Sequence, residues 1–128
     1  MSAWKEFRNN PLGKSVGDCS IRAISAALGI DWDKAYALLC SKGFAMADLP
    51  NADSVWGNVL KERGFTREVI PNSCPECYTF EDFCREHQKG IYVLGTGNHV
   101  ATVKDGGQLF DSWDSSKEVP VFFWRKDD

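Results

Sequence analysis

One cysteine of this 128-residue chain stands where a thiol is easily activated. Cys19 lies in Val16-Gly17-Asp18-Cys19-Ser20, just after a flexible glycine and at the expected start of a helix. Unpaired N–H groups and the positive end of the helix dipole stabilise a thiolate there, lowering a thiol pKa from about 8.5 by one to several units. The chemistry implied is nucleophilic. The bland alternative is a small buried residue at a helix start, which is the usual fate of a free cysteine. Far along the chain, His99 opens an apolar run and Asp111 closes the next, with Asp105-Gly106-Gly107 between them. A turn centred on Gly106 sets His99 opposite residues 111–113, so a carboxylate can reach the imidazole. Asp111 and Asp114 compete for that role. Period two puts Asp111 with Trp113 on one face and Ser112 with Asp114 on the other, and Asp111 is favoured.

Gly17-Asp18-Cys19-Ser20, Asn98-His99-Val100-Ala101 and Asp111-Ser112-Trp113, in this order, resemble the papain-like cysteine peptidase superfamily, in particular its small bacterial and phage-type members. The resemblance spans residues 18–113. It implies a cysteine hydrolase of the thiol protease kind, peptidase- or isopeptidase-like, working through a catalytic triad and an acyl-thioester, with no cofactor and with a peptide or protein as substrate. Carried over, it makes Cys19 the nucleophile, His99 the general base and later acid, Asp111 the residue that orients the imidazole, and Trp113 the shield of that pair. The oxyanion-hole glutamine of the superfamily, about six residues before the cysteine, has no counterpart. Gly13 and Lys14 stand there, the nearest amides are Asn9 and Asn10, and the Cys19 N–H is a further donor. The same three residues also serve acyl transfer or deamidation, and a non-catalytic binding domain on the same fold is the rival from another class.

A second cluster, Cys74-Pro75-Glu76-Cys77 with Cys84 and His87, offers four zinc-capable ligands. Phe80, Phe83, Cys84 and His87 form an i, i+3, i+4, i+7 series, the pattern of core packing, and six residues between pairs are fewer than common zinc fingers use. A zinc-stabilised module is therefore disfavoured, as is a redox pair at Cys74 and Cys77, which lacks a strand-then-helix setting, and no metal is expected. Cys40 reads as a small core residue. Trp32, Trp56, Trp113 and Trp124 read as core or cleft wall.

These side chains need a frame, and the chain supports a single domain over residues 1–128. With 43% hydrophobic residues a real core is expected. The net charge is -3, with both signs scattered along the chain, so no basic stripe is present to bind nucleic acid. No stretch approaches the roughly 20 apolar residues of a membrane span, and the N-terminus carries charges where a signal peptide has its apolar core, so a cytoplasmic protein that does not enter a membrane is expected.

Helical spacing covers residues 16–64. Ala23, Ile24, Ala27 and Leu28 mark a first helix. A second is expected over residues 32–42, with Asp31 as cap and Gly43 as stop. A third follows Asp53 with Val55, Trp56, Val59 and Leu60. An apolar-rich run at residues 65–70 leads through a loop to a helix over residues 79–89, capped by Thr79 with Asp82 in a capping-box-like pair. Period two then predicts strands at residues 91–94, 99–104, 108–113 and 119–124, followed by a solvated tail from Arg125. The expected fold is α+β and papain-like, with N-terminal helices on one face of a C-terminal antiparallel twisted sheet spanning residues 91–124 and a cleft between the halves.

Overall fold

In the computed structural model, which describes residues 3–73 and 75–127, the chain is an α+β fold of four helices and one six-stranded mixed sheet. The elements are β1 (Trp4–Glu6), α1 (Cys19–Leu28), α2 (Trp32–Met46), α3 (Asp53–Glu62), β2 (Phe65–Val69), α4 (Phe80–Glu86), β3 (Tyr92–Gly95), β4 (Val100–Lys104), β5 (Gln108–Asp111) and β6 (Phe122–Lys126). The strand order is β1-β5-β4-β3-β6-β2.

The sheet is larger than the 91–124 segment and not wholly antiparallel. β1 lies parallel to β5, with Trp4 opposite Leu109 and Glu6 opposite Asp111. The run after Gly64 is a second strand, β2, paired antiparallel with β6. Arg125 and Lys126 belong to β6 rather than to a tail, because β2 supplies their ladder partners. The helices also occupy both faces instead of one. α1, α2 and α3 bury Ile24, Leu39, Trp56, Val59 and Leu60 against Phe65, Val93, Val100, Phe122 and Trp124. On the opposite face α4 brings Phe80, Phe83 and Cys84 onto Leu94, Ala101, Val103 and Leu109. Alternation along β4 explains this: Ala101 and Val103 face α4, while Val100 faces α1.

Local chemistry sets the element ends. Thr79 accepts from the Asp82 N–H while the Asp82 carboxylate accepts from the Thr79 N–H, a complete capping box. Gly43 does not stop α2, which continues to Met46. The glycine serves a close approach instead, since a Cβ there would lie 2.8 Å from the Asp48 carbonyl oxygen. Asp105, Gly106 and Gly107 all take positive φ in the β4–β5 turn, and Thr102 faces Phe110 across the hairpin. No helix among the described residues is long and apolar enough to cross a membrane.

Two polar bonds fix how α1 lies on β4. The Thr102 hydroxyl donates to the Ala23 carbonyl at 2.7 Å, and the Lys104 ammonium donates to the Ala26 carbonyl at 2.7 Å. The bonded positions advance together along both elements, so helix and strand run the same way. Stepping back four helical residues, about 6 Å, and three extended ones, about 10 Å, brings the start of α1 beside the start of β4. Cys19 and His99 stand at those two starts.

Candidate functional site

His99 joins the site together. Its Nε2–H donates to Asp111 Oδ2 at 2.7 Å. The other ring nitrogen, Nδ1, is then left for Cys19, whose sulfur shares a hydrogen bond with the imidazole and receives one from the Val100 N–H. Asp111 is fully buried and His99 nearly so, with 13% of its side chain exposed. The hairpin brings the pair close: β5 ends at Asp111 and β4 begins one residue after His99, so the two side chains meet where the paired strands end. Of the two carboxylates weighed from the sequence, Asp111 reaches the ring. The Asp114 carboxylate instead accepts from the Ser116 N–H at 3.1 Å.

The electrostatics of the three groups are mutually dependent. Burial by itself raises the Cys19 pKa, yet the hydrogen bonds from His99 and Val100 and the positive charges of His99 and Arg22 bring it below the ordinary thiol value. Burial alone would lower His99, but the Asp111 carboxylate and the Cys19 sulfur push it up to about 9. Burial opposes ionisation of Asp111, and the bonds from His99, Ser115 and the Ser112 N–H more than offset it, so its pKa is lowered. A thiolate beside an imidazolium, backed by a carboxylate, is the charge state these contacts favour.

Asp111 is held from several sides. Oδ2 also accepts from the Ser115 hydroxyl at 2.5 Å, and Oδ1 accepts from the Ser112 N–H at 2.8 Å and from Arg22 Nη2 at 3.1 Å. Its carbonyl accepts from the Trp4 indole at 3.1 Å and the Phe7 N–H at 2.8 Å, so β1 and the residue after it brace the backbone that carries the carboxylate. Arg22 in turn pairs with Asp18, whose Oδ2 accepts from the Trp32 indole at 2.8 Å. Sequence reasoning missed Arg22, Asp18 and Ser115. The signal for the first two was present: an arginine four residues after an aspartate, in a short helix otherwise made of Cys, Ser, Ile, Ala and Leu, must bury its charge against a partner. Ser115 lies in a loop and had no such signal.

Beside Cys19 and His99 a polar cavity of about 170 Å³ opens, walled by Ser20 of α1, by Asn51, Asp53 and Trp56 around the start of α3, and by Gly97 and Asn98 before β4. Trp113 covers the ring of His99 at a centroid distance of 5.1 Å, while remaining 44% exposed itself. Neither asparagine named for the oxyanion lines this cavity. The Asn9 amide donates to the Ser25 hydroxyl at 2.6 Å, well along α1 from the thiol, and Asn10 Oδ1 caps the following turn by accepting from the N–H groups of Leu12 and Lys14. The Cys19 N–H, first in α1, has no intrahelical partner.

The second cysteine cluster is dispersed into packing. Cys74 lies outside the described residues, and Cys77 is exposed. Cys84 is 1% exposed, with its thiol pushed up to about 12 by burial and the Glu81 charge. His87 stacks on Phe83 at 3.7 Å between centroids, with Nδ1 on the Phe83 carbonyl. Among the described residues no group of three or more His, Cys, Asp or Glu side chains is arranged to hold a metal ion. Cys40 is half-buried on α2. Compared with known proteins, the chain matches no family model, no curated protein and no solved structure.

Proposed function

We propose that this chain is a cysteine hydrolase, peptidase- or isopeptidase-like, in which Cys19, His99 and Asp111 act as nucleophile, acid–base and orienting carboxylate. The observation that carries the reading is the imidazole bonded on one side to a buried carboxylate and on the other to a helix-start thiol, at the mouth of a polar cavity. In this scheme the Cys19 thiolate adds to the carbonyl carbon of a peptide or isopeptide bond. The negative charge that develops on oxygen falls beside the unpaired N–H at the start of α1. His99 passes its Nδ1 proton to the leaving nitrogen, the C–N bond breaks, and a thioester remains on Cys19. His99, now neutral, takes a proton from water; the hydroxide displaces the sulfur, releasing the acid and restoring the ion pair. Asp111 keeps Nε2 protonated throughout and so fixes the tautomer that lets Nδ1 work on the sulfur side.

Acyl transfer to p-nitrophenyl acetate tests this directly. The protein should gain one acetyl group on Cys19, located by mass spectrometry, release p-nitrophenolate in a burst and then turn over slowly as the thioester hydrolyses. Cys19→Ala and His99→Ala should lose both phases. Acetylation of Cys19 no faster than of Cys77 would overturn the proposal and favour a domain that grips a partner in the cavity without reacting.

A further inference from the structure

We infer that Arg22 is a positioning residue of this site: it gathers the carboxylates of Asp18 and Asp111 onto one guanidinium, fixing the oxygen that meets His99 and keeping Asp18 off the start of α1. The inference rests on reading Cys19 and His99 as the reactive pair. Arg22 is only 7% exposed, and its two terminal nitrogens are divided between two carboxylates. Nη2 takes Asp111 Oδ1, leaving Oδ2 for His99 and Ser115. The planar guanidinium sets a fixed spacing between its two bonds, so the orientation of Asp111 is coupled to that of Asp18.

The second half of the role concerns the helix. Asp18 occupies the N-cap of α1, a position where aspartate ordinarily accepts from the first-turn N–H groups, yet its side chain makes no capping bond. One oxygen is on Arg22 and the other on the Trp32 indole. A capping carboxylate would set a full negative charge next to the Cys19 sulfur and occupy first-turn donors. Drawn away, the Asp18 carboxylate occupies none of the donors at the helix start and does not cap the positive helix end. The charged groups around Cys19 are then His99 in front of β4, Asp111 behind it on β5, Arg22 on α1, Asp18 at its N-cap, and Asp53 across the cavity on α3.

The test is the pH dependence of Cys19 alkylation by iodoacetamide, read by mass spectrometry, in Arg22→Met, Arg22→Lys and the double variant Asp18→Asn/Arg22→Met, with circular-dichroism melting of each. In Arg22→Met the acid limb of the rate should move up by about one pH unit or more, a roughly tenfold slower reaction at a given acidic pH, because the Arg22 charge is lost and Asp18 is released toward the helix start. The double variant should recover the part of that loss due to Asp18, since an amide brings no charge, while the part due to the Arg22 charge stays lost. Arg22→Lys, whose ammonium cannot hold two carboxylates at a fixed spacing, should move the limb by about half a unit, roughly threefold in rate. A purely structural role lowers the melting temperature and leaves these profiles in place, and that result overturns the inference. If Arg22→Met does not fold, Arg22→Lys decides by the same criterion. A wild-type Cys19 that reacts no faster than Cys77 sinks the reading of the site itself; a fast wild-type thiol with unshifted variants sinks only the role of Arg22.

Discussion

Replacing Asp111 by Asn probes the most strongly coupled element of the site. The ordinary imidazole pKa of 6.5 is pushed up to about 9 at His99, against the opposing effect of burial. That rise is worth about 3 kcal/mol in favour of the charged ring. In Asp111→Asn the Nε2 bond goes to a neutral amide, the favourable charge is gone and burial acts with only Cys19 to oppose it, so the pKa should fall to about 6.5 or below. At pH 8 the fraction of His99 carrying a proton should drop from about nine-tenths to about one-thirtieth. The direction of the linkage to stability follows. A pKa raised in the folded state contributes stability that is complete below about pH 6.5 and is lost as pH rises through about 9, so the variant should lack this contribution on the acid side of that window. The assay is proton NMR titration of the histidine ring resonances. The chain has two histidines, and a His87→Gln variant assigns them. A wild-type His99 titrating near 6.5, or a titration unmoved by Asp111→Asn in protein that still melts cooperatively, would refute the reasoning.

Two further predictions follow from packing. Cys84, buried between α4 and the sheet with its thiol pushed up to about 12, should stay unlabelled by iodoacetamide in native protein up to pH 9, whereas exposed Cys77 reacts; labelling of Cys84 under native conditions would show that α4 opens locally. Gly95→Ala should destabilise by about 1–3 kcal/mol, because the added Cβ would fall 2.2 Å from the Phe122 ring between paired strands β3 and β6, and a melting temperature lower by about 5 °C is the expected reading; an unchanged one would place Phe122 elsewhere.

Much of the architecture was legible because its causes are local. The capping box at Thr79 and Asp82 needs four residues, and the Asp105-Gly106-Gly107 turn needs three, so both stand in the sequence and fold as read. The i, i+3, i+4, i+7 series through Phe83 and His87 likewise becomes packing of α4 against the sheet. What failed depended on distant partners. β1 is three residues long and owes its strand to parallel pairing with β5 more than a hundred positions later, and β2 is a strand because β6 lies beside it. Gly43 reads as a helix stop by composition and is instead a helical contact point for the chain at Asp48 and Pro50.

For the site, residue type and order alone singled out a thiol at a helix start, an imidazole at a strand start and a carboxylate across a hairpin, since each depends on its own element and one short turn. Only the tertiary structure decided that the three meet, because their meeting depends on the register of α1 against β4, set by Thr102 and Lys104 on helix carbonyls some eighty residues away. It also decided which charges surround them. A buried arginine must find carboxylates, but which carboxylates it finds is a property of the packed molecule, and here they are the one before the thiol and the one behind the imidazole.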